Sequence, residues 1–259
     1  GFKNKNEDYN NNIDFILTGD SFVEGCCTNQ DETIIARIKQ NGYKAISLGK
    51  TGTGPLVQFA IIKEYVYKSD LKYDNLIWFF YTNDFDELEI ELESNILVNY
   101  LKDTEYKQNL FEKQKIVDEI IRNYVLQEFE KQKPIFNNKY TKKEYNFDYR
   151  SNKINLINFI KLFKTRNLLN YNQKHPSFKI FQEIIIKTKK IVEEDNAEFI
   201  FVYIPHIDEV SKKINFPHKK NIFKFLNNTN VKIIDLTKII ETQKDPLSIQ
   251  HVVLADPLS

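Results

Sequence analysis

The sequence predicts an α/β fold, a three-layer α/β/α sandwich built on a mainly parallel five-stranded sheet. Two observations carry that expectation. Short β-rich apolar runs recur at 13–18, 45–48, 76–81, 198–204 and 231–235, each too short for a buried helix. Between the first three runs, apolar residues fall at helical spacing, giving the strand, loop, helix, strand rhythm of right-handed βαβ crossovers. A sheet wound in this way gathers the loops after its strands on one edge, where open α/β sheets collect their ligands.

Residues 1–12 are polar and Asn-rich and read as a loose lead-in. Ile13 to Thr18 is the first strand, and Gly19 lets the backbone turn sharply into Asp20-Ser21. Asp31 is expected to cap a helix running to about Gln40, with Ile34, Ile35 and Ile38 at helical spacing and Asn41-Gly42 as its stop. Ala45 to Leu48 is the second strand and leads into Gly49-Lys50-Thr51-Gly52-Thr53-Gly54. Pro55 begins a helix that continues through Tyr67. Leu76 to Tyr81 is almost wholly apolar, so it reads as a central strand buried on both faces, ending in Thr82-Asn83-Asp84.

From Phe85 to about Asp195 the rhythm changes to charged, helix-period segments such as Asn109 to Lys131, broken near Pro134 and at His175-Pro176. They predict a helical insertion over about 86–195 within a single domain spanning 1–259, its charge runs forming a solvated helix face and the insertion serving to lid the site, bind a partner or enlarge the core. The sheet resumes at Glu198 to Ile204, followed by Pro205-His206. A helix near Lys219 to Leu226, a fifth strand over Val231 to Asp235 and a short helix at Thr237 to Glu241 complete the rhythm. The tail from Thr242 reads as a loop holding Asp245-Pro246 and His251.

Composition narrows the function classes. With 37 Lys+Arg against 36 Asp+Glu, no excess positive charge exists to hold nucleic acid non-specifically. The 20 Phe and 14 Tyr predict a core that leans on rings. No apolar run approaches the roughly 18 residues that suggest a membrane span, so any anchor or signal segment would lie upstream of Gly1. The start at Gly1 and the lack of methionine lead to the expectation of an excised fragment, removal of an initiator Met being the alternative. Cys26 and Cys27 are the only cysteines; as sequence neighbours they cannot staple the fold, and they read as small semi-buried residues, a redox role being the alternative.

Acyl transfer requires a nucleophile, a base and donors for an oxyanion. Ser21 can be the nucleophile and donate its own N–H. Gly52 has no side chain to obstruct a second N–H, and Asn83 can offer its amide. Singly, Gly-Asp-Ser and Gly52 suit ordinary turns and Asn83 suits a helix cap. Their placement after three successive strands is what joins them. Gly49-Lys50-Thr51 is not a Walker loop, because Lys44 stands where that loop needs glycine. The elbow pattern Gly-x-Ser-x-Gly is absent, and no spacing of His, Asp and Glu suggests a metal. No cofactor is expected.

Ile16-Leu17-Thr18-Gly19-Asp20-Ser21, Leu48-Gly49-Lys50-Thr51-Gly52-Thr53-Gly54-Pro55 and Tyr81-Thr82-Asn83-Asp84 together resemble three sequence blocks of the SGNH hydrolases, the GDSL family of esterases and lipases. Tyr81 stands where that family usually has glycine. The resemblance covers residues 13 to 85, and 198 to 240 only as strand rhythm. It implies a flavodoxin-like SGNH fold, Ser21 as nucleophile, and Gly52 and Asn83 as oxyanion donors. It also implies hydrolysis of a carboxylic ester, an O-acyl or O-acetyl group on a carbohydrate, in the cell envelope. The family's late Asp-x-x-His has no match, since none of His175, His206, His218 and His251 follows an Asp by three residues. Three expectations stay open: the block lies beyond Ser259, His251 acts with Asp245 or without an acid, or His206 is the base. A catalytically silent SGNH-like binding module and an O-acyltransferase are the alternative functions.

Overall fold

A computed structural model describes residues 2, 4–9, 12–110, 112–139, 177–211, 216 and 218–242. The chain divides into two compact units, one formed by Gly1–Tyr106 with Asn170–Ser259 and the other by Lys107–Leu169.

In the first unit β1 (Ile13–Thr18), β2 (Ala45–Ser47), β3 (Tyr73–Phe80), β4 (Glu198–Tyr203) and β5 (Lys232–Asp235) form one sheet in the order β2-β1-β3-β4-β5. Every pairing is parallel. Leu76, Trp78 and Phe80 of β3 enter one layer of the core, and Ile77 and Phe79 enter the other. Helices cover both faces, which is why the strands read as continuous apolar runs. α2 (Ile34–Gln40) and α10 (Leu236–Glu241) lie on the side of Ile77 and Phe79. The opposite side is covered by α3 (Pro55–Tyr65), α4 (Asp84–Glu91), α5 (Asn95–Lys102), α7 (Phe178–Glu194) and α9 (Lys219–Asn228). This is the expected three-layer, flavodoxin-like arrangement. Two short helices complete the unit, α1 (Ser21–Glu24) after β1 and α8 (Ile207–Ser211) after β4.

Several local expectations change. The cap of α2 is Thr33, whose Oγ1 accepts from Ala36 N at 3.2 Å, rather than Asp31. The lead-in is tied down: Asn4 Nδ2 donates to Ser47 O at 2.8 Å and Asn4 Oδ1 accepts from Ser47 N at 2.9 Å, covering the edge strand β2. Cys26 and Cys27 are exposed, not semi-buried. The charged stretch after β3 contributes to the main core, because α4, α5 and α7 bury Phe85, Leu88, Tyr100, Leu101, Phe178 and Phe181. Their polar faces account for the charge in the sequence.

Of the second unit the structure describes chiefly α6 (Gln114–Lys139), a helix with exposed Ile116, Ile120, Tyr124 and Phe129. It continues past the expected break at Pro134; proline forfeits one amide donor, and the turns on either side stay helical. Among the described residues no helix is long and apolar enough to cross a membrane.

Candidate active site

Three adjacent parallel strands end on one edge, and each is followed by one of the candidate residues. β1 turns through Gly19-Asp20 and hands over Ser21 as the first residue of α1. Asp20 caps that short helix, its Oδ1 accepting from Phe22 N at 3.0 Å. Ser21 is half-buried, and neither its hydroxyl nor its N–H makes a hydrogen bond among the described residues. On one side, the loop after β2 carries Gly52 at φ +72°, exposed and with open space where a Cβ would stand. An L side chain is strained at that φ, so glycine is what lets the backbone take this turn. On the other side, β3 leads through Tyr81-Thr82 to Asn83 at the N-terminus of α4.

The loop holding Gly52 is anchored at both ends by carboxylates from elsewhere in the fold. Glu24, on the helix that carries Ser21, accepts from Lys50 Nζ at 2.8 Å and from Thr51 N at 2.6 Å. These partners hold its carboxyl down at about 2 against the opposing effect of burial. Glu91, at the end of α4, accepts from Gly54 N at 2.6 Å, Leu56 N at 2.9 Å and Val57 N at 3.3 Å. It thereby satisfies amides at the start of α3 that lack intrahelical partners. Gly54 is obligatory in this contact, because a Cβ there would stand 2.9 Å from Glu91 Oε2 and 2.8 Å from Glu87 Cβ. Within the loop, Thr53 Oγ1 donates to Lys50 O at 2.6 Å and Gln58 Nε2 donates to Thr53 O at 2.7 Å. The sequence reading missed Glu24 and Glu91; nothing local distinguishes them from other surface glutamates.

Asn83 sits at the N-cap position of α4 without capping it by its side chain. Its Nδ2 donates to Glu87 Oε1 at 3.4 Å. Asp84 is fully buried, and its Oδ2 accepts from Tyr81 N at 3.1 Å, closing the turn that presents Asn83. Around this turn the carboxyls bind their protons more tightly than ordinary carboxylates do. Burial pushes Asp20 up to about 6 and Glu91 up to about 7. Burial, with the charges of Asp20, Glu91 and Asp86, raises Glu87 to about 7. Asp84 is driven well above the carboxylate range by burial and by the neighbouring Asp20 and Glu87 charges. Among the described residues no group of three or more His, Cys, Asp and Glu side chains is arranged to hold a metal.

His206, beyond β4, lies on the same edge. Its ring stacks on Tyr81 at 6.1 Å, and Tyr81 in turn packs against Phe22 at 4.8 Å. His206 Nδ1 accepts from Asp208 N at 3.2 Å, with Asp208 Oδ2 4.0 Å away. A neutral imidazole whose Nδ1 is an acceptor carries its proton on Nε2. His218 packs by its ring against Phe85 and Phe216. His175, Asp245 and His251 lie outside the described residues. No family model matches this chain, and no curated protein matches it.

Proposed function

We propose that this chain is a serine ester hydrolase of the SGNH kind, acting through an acyl-enzyme on Ser21. The observation that carries this reading is the shared edge: β2, β1 and β3 lie side by side, and Gly52, Ser21 and Asn83 follow their C-terminal ends. In the reaction Ser21 Oγ attacks the ester carbonyl carbon and passes its proton to a histidine. The N–H groups of Ser21 and Gly52 and the Asn83 amide receive the oxyanion. Histidine returns the proton to the departing alcohol, and water then releases the acid. For the base this reading adopts His251 with Asp245 from the sequence, His206 and an Asp-x-x-His beyond Ser259 being the alternatives. The substrate class it adopts, from the sequence resemblance, is an O-acyl or O-acetyl group on a carbohydrate.

Covalent labelling with a fluorophosphonate tests the reading. Labelling should disappear in Ser21→Ala and in His251→Ala and persist in His206→Ala. Equal labelling of the Ser21→Ala protein would remove Ser21 from the scheme. No labelling of the parent chain would leave the silent binding module or an enzyme whose base lies beyond Ser259. Acyl transfer to an added glycan in preference to water would make the protein an O-acyltransferase.

A further inference from the structure

The sulfurs of Cys26 and Cys27 stand 2.9 Å apart, and both residues are exposed. They follow Gly25, the left-handed C-cap of α1, and Cys26 N donates to Ser21 O at 3.4 Å. Cys26 also lines a cavity of about 510 Å³ shared with Lys5, Lys39, Gln30 and Thr33, so space lies beside this segment. We infer that Cys26 and Cys27 form a two-electron thiol site that closes reversibly into a disulfide between sequence neighbours.

The chemistry needs only a small-molecule disulfide as oxidant. The thiolate of one cysteine attacks a sulfur of that disulfide, forming a mixed disulfide and releasing one thiolate. The second cysteine, deprotonated, attacks the protein-bound sulfur of the mixed disulfide and releases the other thiolate. Two protein thiols have then lost two electrons and two protons, and the oxidant has become two thiols. Proximity makes the second step intramolecular, which favours it over a lasting adduct. The bond would be a switch and not a staple. Adjacent Cα atoms are about 3.8 Å apart, short of the roughly 4.4–6.8 Å that an unstrained disulfide spans. Strained and exposed disulfides are the readily reduced ones. The inference stands independently of any chemistry at Ser21.

The test treats the 259-residue chain, which has 2 cysteines, with excess oxidised glutathione and reads intact mass and iodoacetamide uptake. The parent should lose the mass of two hydrogens, form no intermolecular disulfide, and lose both alkylatable thiols. Excess reduced glutathione should restore both. Cys27→Ser and Cys26→Ser should each retain one glutathione adduct instead. A parent protein that holds glutathione adducts, couples into intermolecular dimers, keeps two alkylatable thiols, or resists reduction once closed would overturn the inference.

Discussion

Glu91→Ala should be among the most destabilising single changes at this edge of the sheet. The carboxylate serves Gly54 N, Leu56 N and Val57 N from a position that is only 9% exposed. Stranding a buried donor costs about 1–3 kcal/mol. Gly54 and Leu56 make the two shorter bonds; counting these and discounting Val57, the loss comes to about 2–6 kcal/mol. That is a large share of the ~5–15 kcal/mol that typically holds a domain together. Glu91→Gln keeps one oxygen acceptor but turns an NH₂ toward the remaining amides, so it should cost less, about 1–3 kcal/mol. Urea unfolding of the parent and both variants measures this directly. The order should be parent, glutamine, alanine. If alanine falls within about 0.5 kcal/mol of the parent, or the glutamine variant is the weaker of the two, Glu91 does not cap α3.

Stability should fall as pH rises from about 5 to about 7.5. Asp20, Glu87 and Glu91 titrate near 6, 7 and 7 in the fold against ordinary values of 3.8, 4.5 and 4.5. The folded chain therefore binds more protons in that window. Their contribution is intact below the ordinary values and is lost as pH passes the raised ones. Each buried group adds a slope of up to about 1.4 kcal/mol per pH unit, with half-buried Glu87 contributing less. Thermal melts that rise over this range would contradict the shifts. Glu24 has the opposite sign: its carboxyl is lowered to about 2 from 4.5, so its contribution is present above 4.5 and fades as pH drops toward 2. Glu24→Ala should cost about 1–2 kcal/mol and slow fluorophosphonate labelling of Ser21, with Glu24→Gln in between; unchanged labelling would show that the tie between α1 and the Gly52 loop does not position the serine. Gly52→Ala should add about 1–2 kcal/mol of backbone strain and reduce ester turnover by about 10²–10³, measured on a chromogenic acetyl ester; full turnover would remove Gly52 as an oxyanion donor.

The amino-acid order alone determined the strands, because an apolar run buried on both faces leaves a continuous local signature, as at Leu76 to Phe80. It also determined which residues follow adjacent strands, because short crossovers have one hand and bring Ser21, Gly52 and Asn83 to one edge. It left open whether the charged stretch from Phe85 onward enlarges the core, since helical period does not say which side of a helix is covered. Phe85 and Leu88 lie in the main core while Asp86 and Glu89 face outward. Tertiary structure alone decided how the Gly52 loop is held. Glu24 and Glu91 meet it across 26 or more positions of sequence, and a hydrogen bond at that separation leaves no periodic trace. It alone raised the carboxyls of Asp20, Asp84, Glu87 and Glu91, since desolvation and mutual repulsion exist only once the fold has taken them from water.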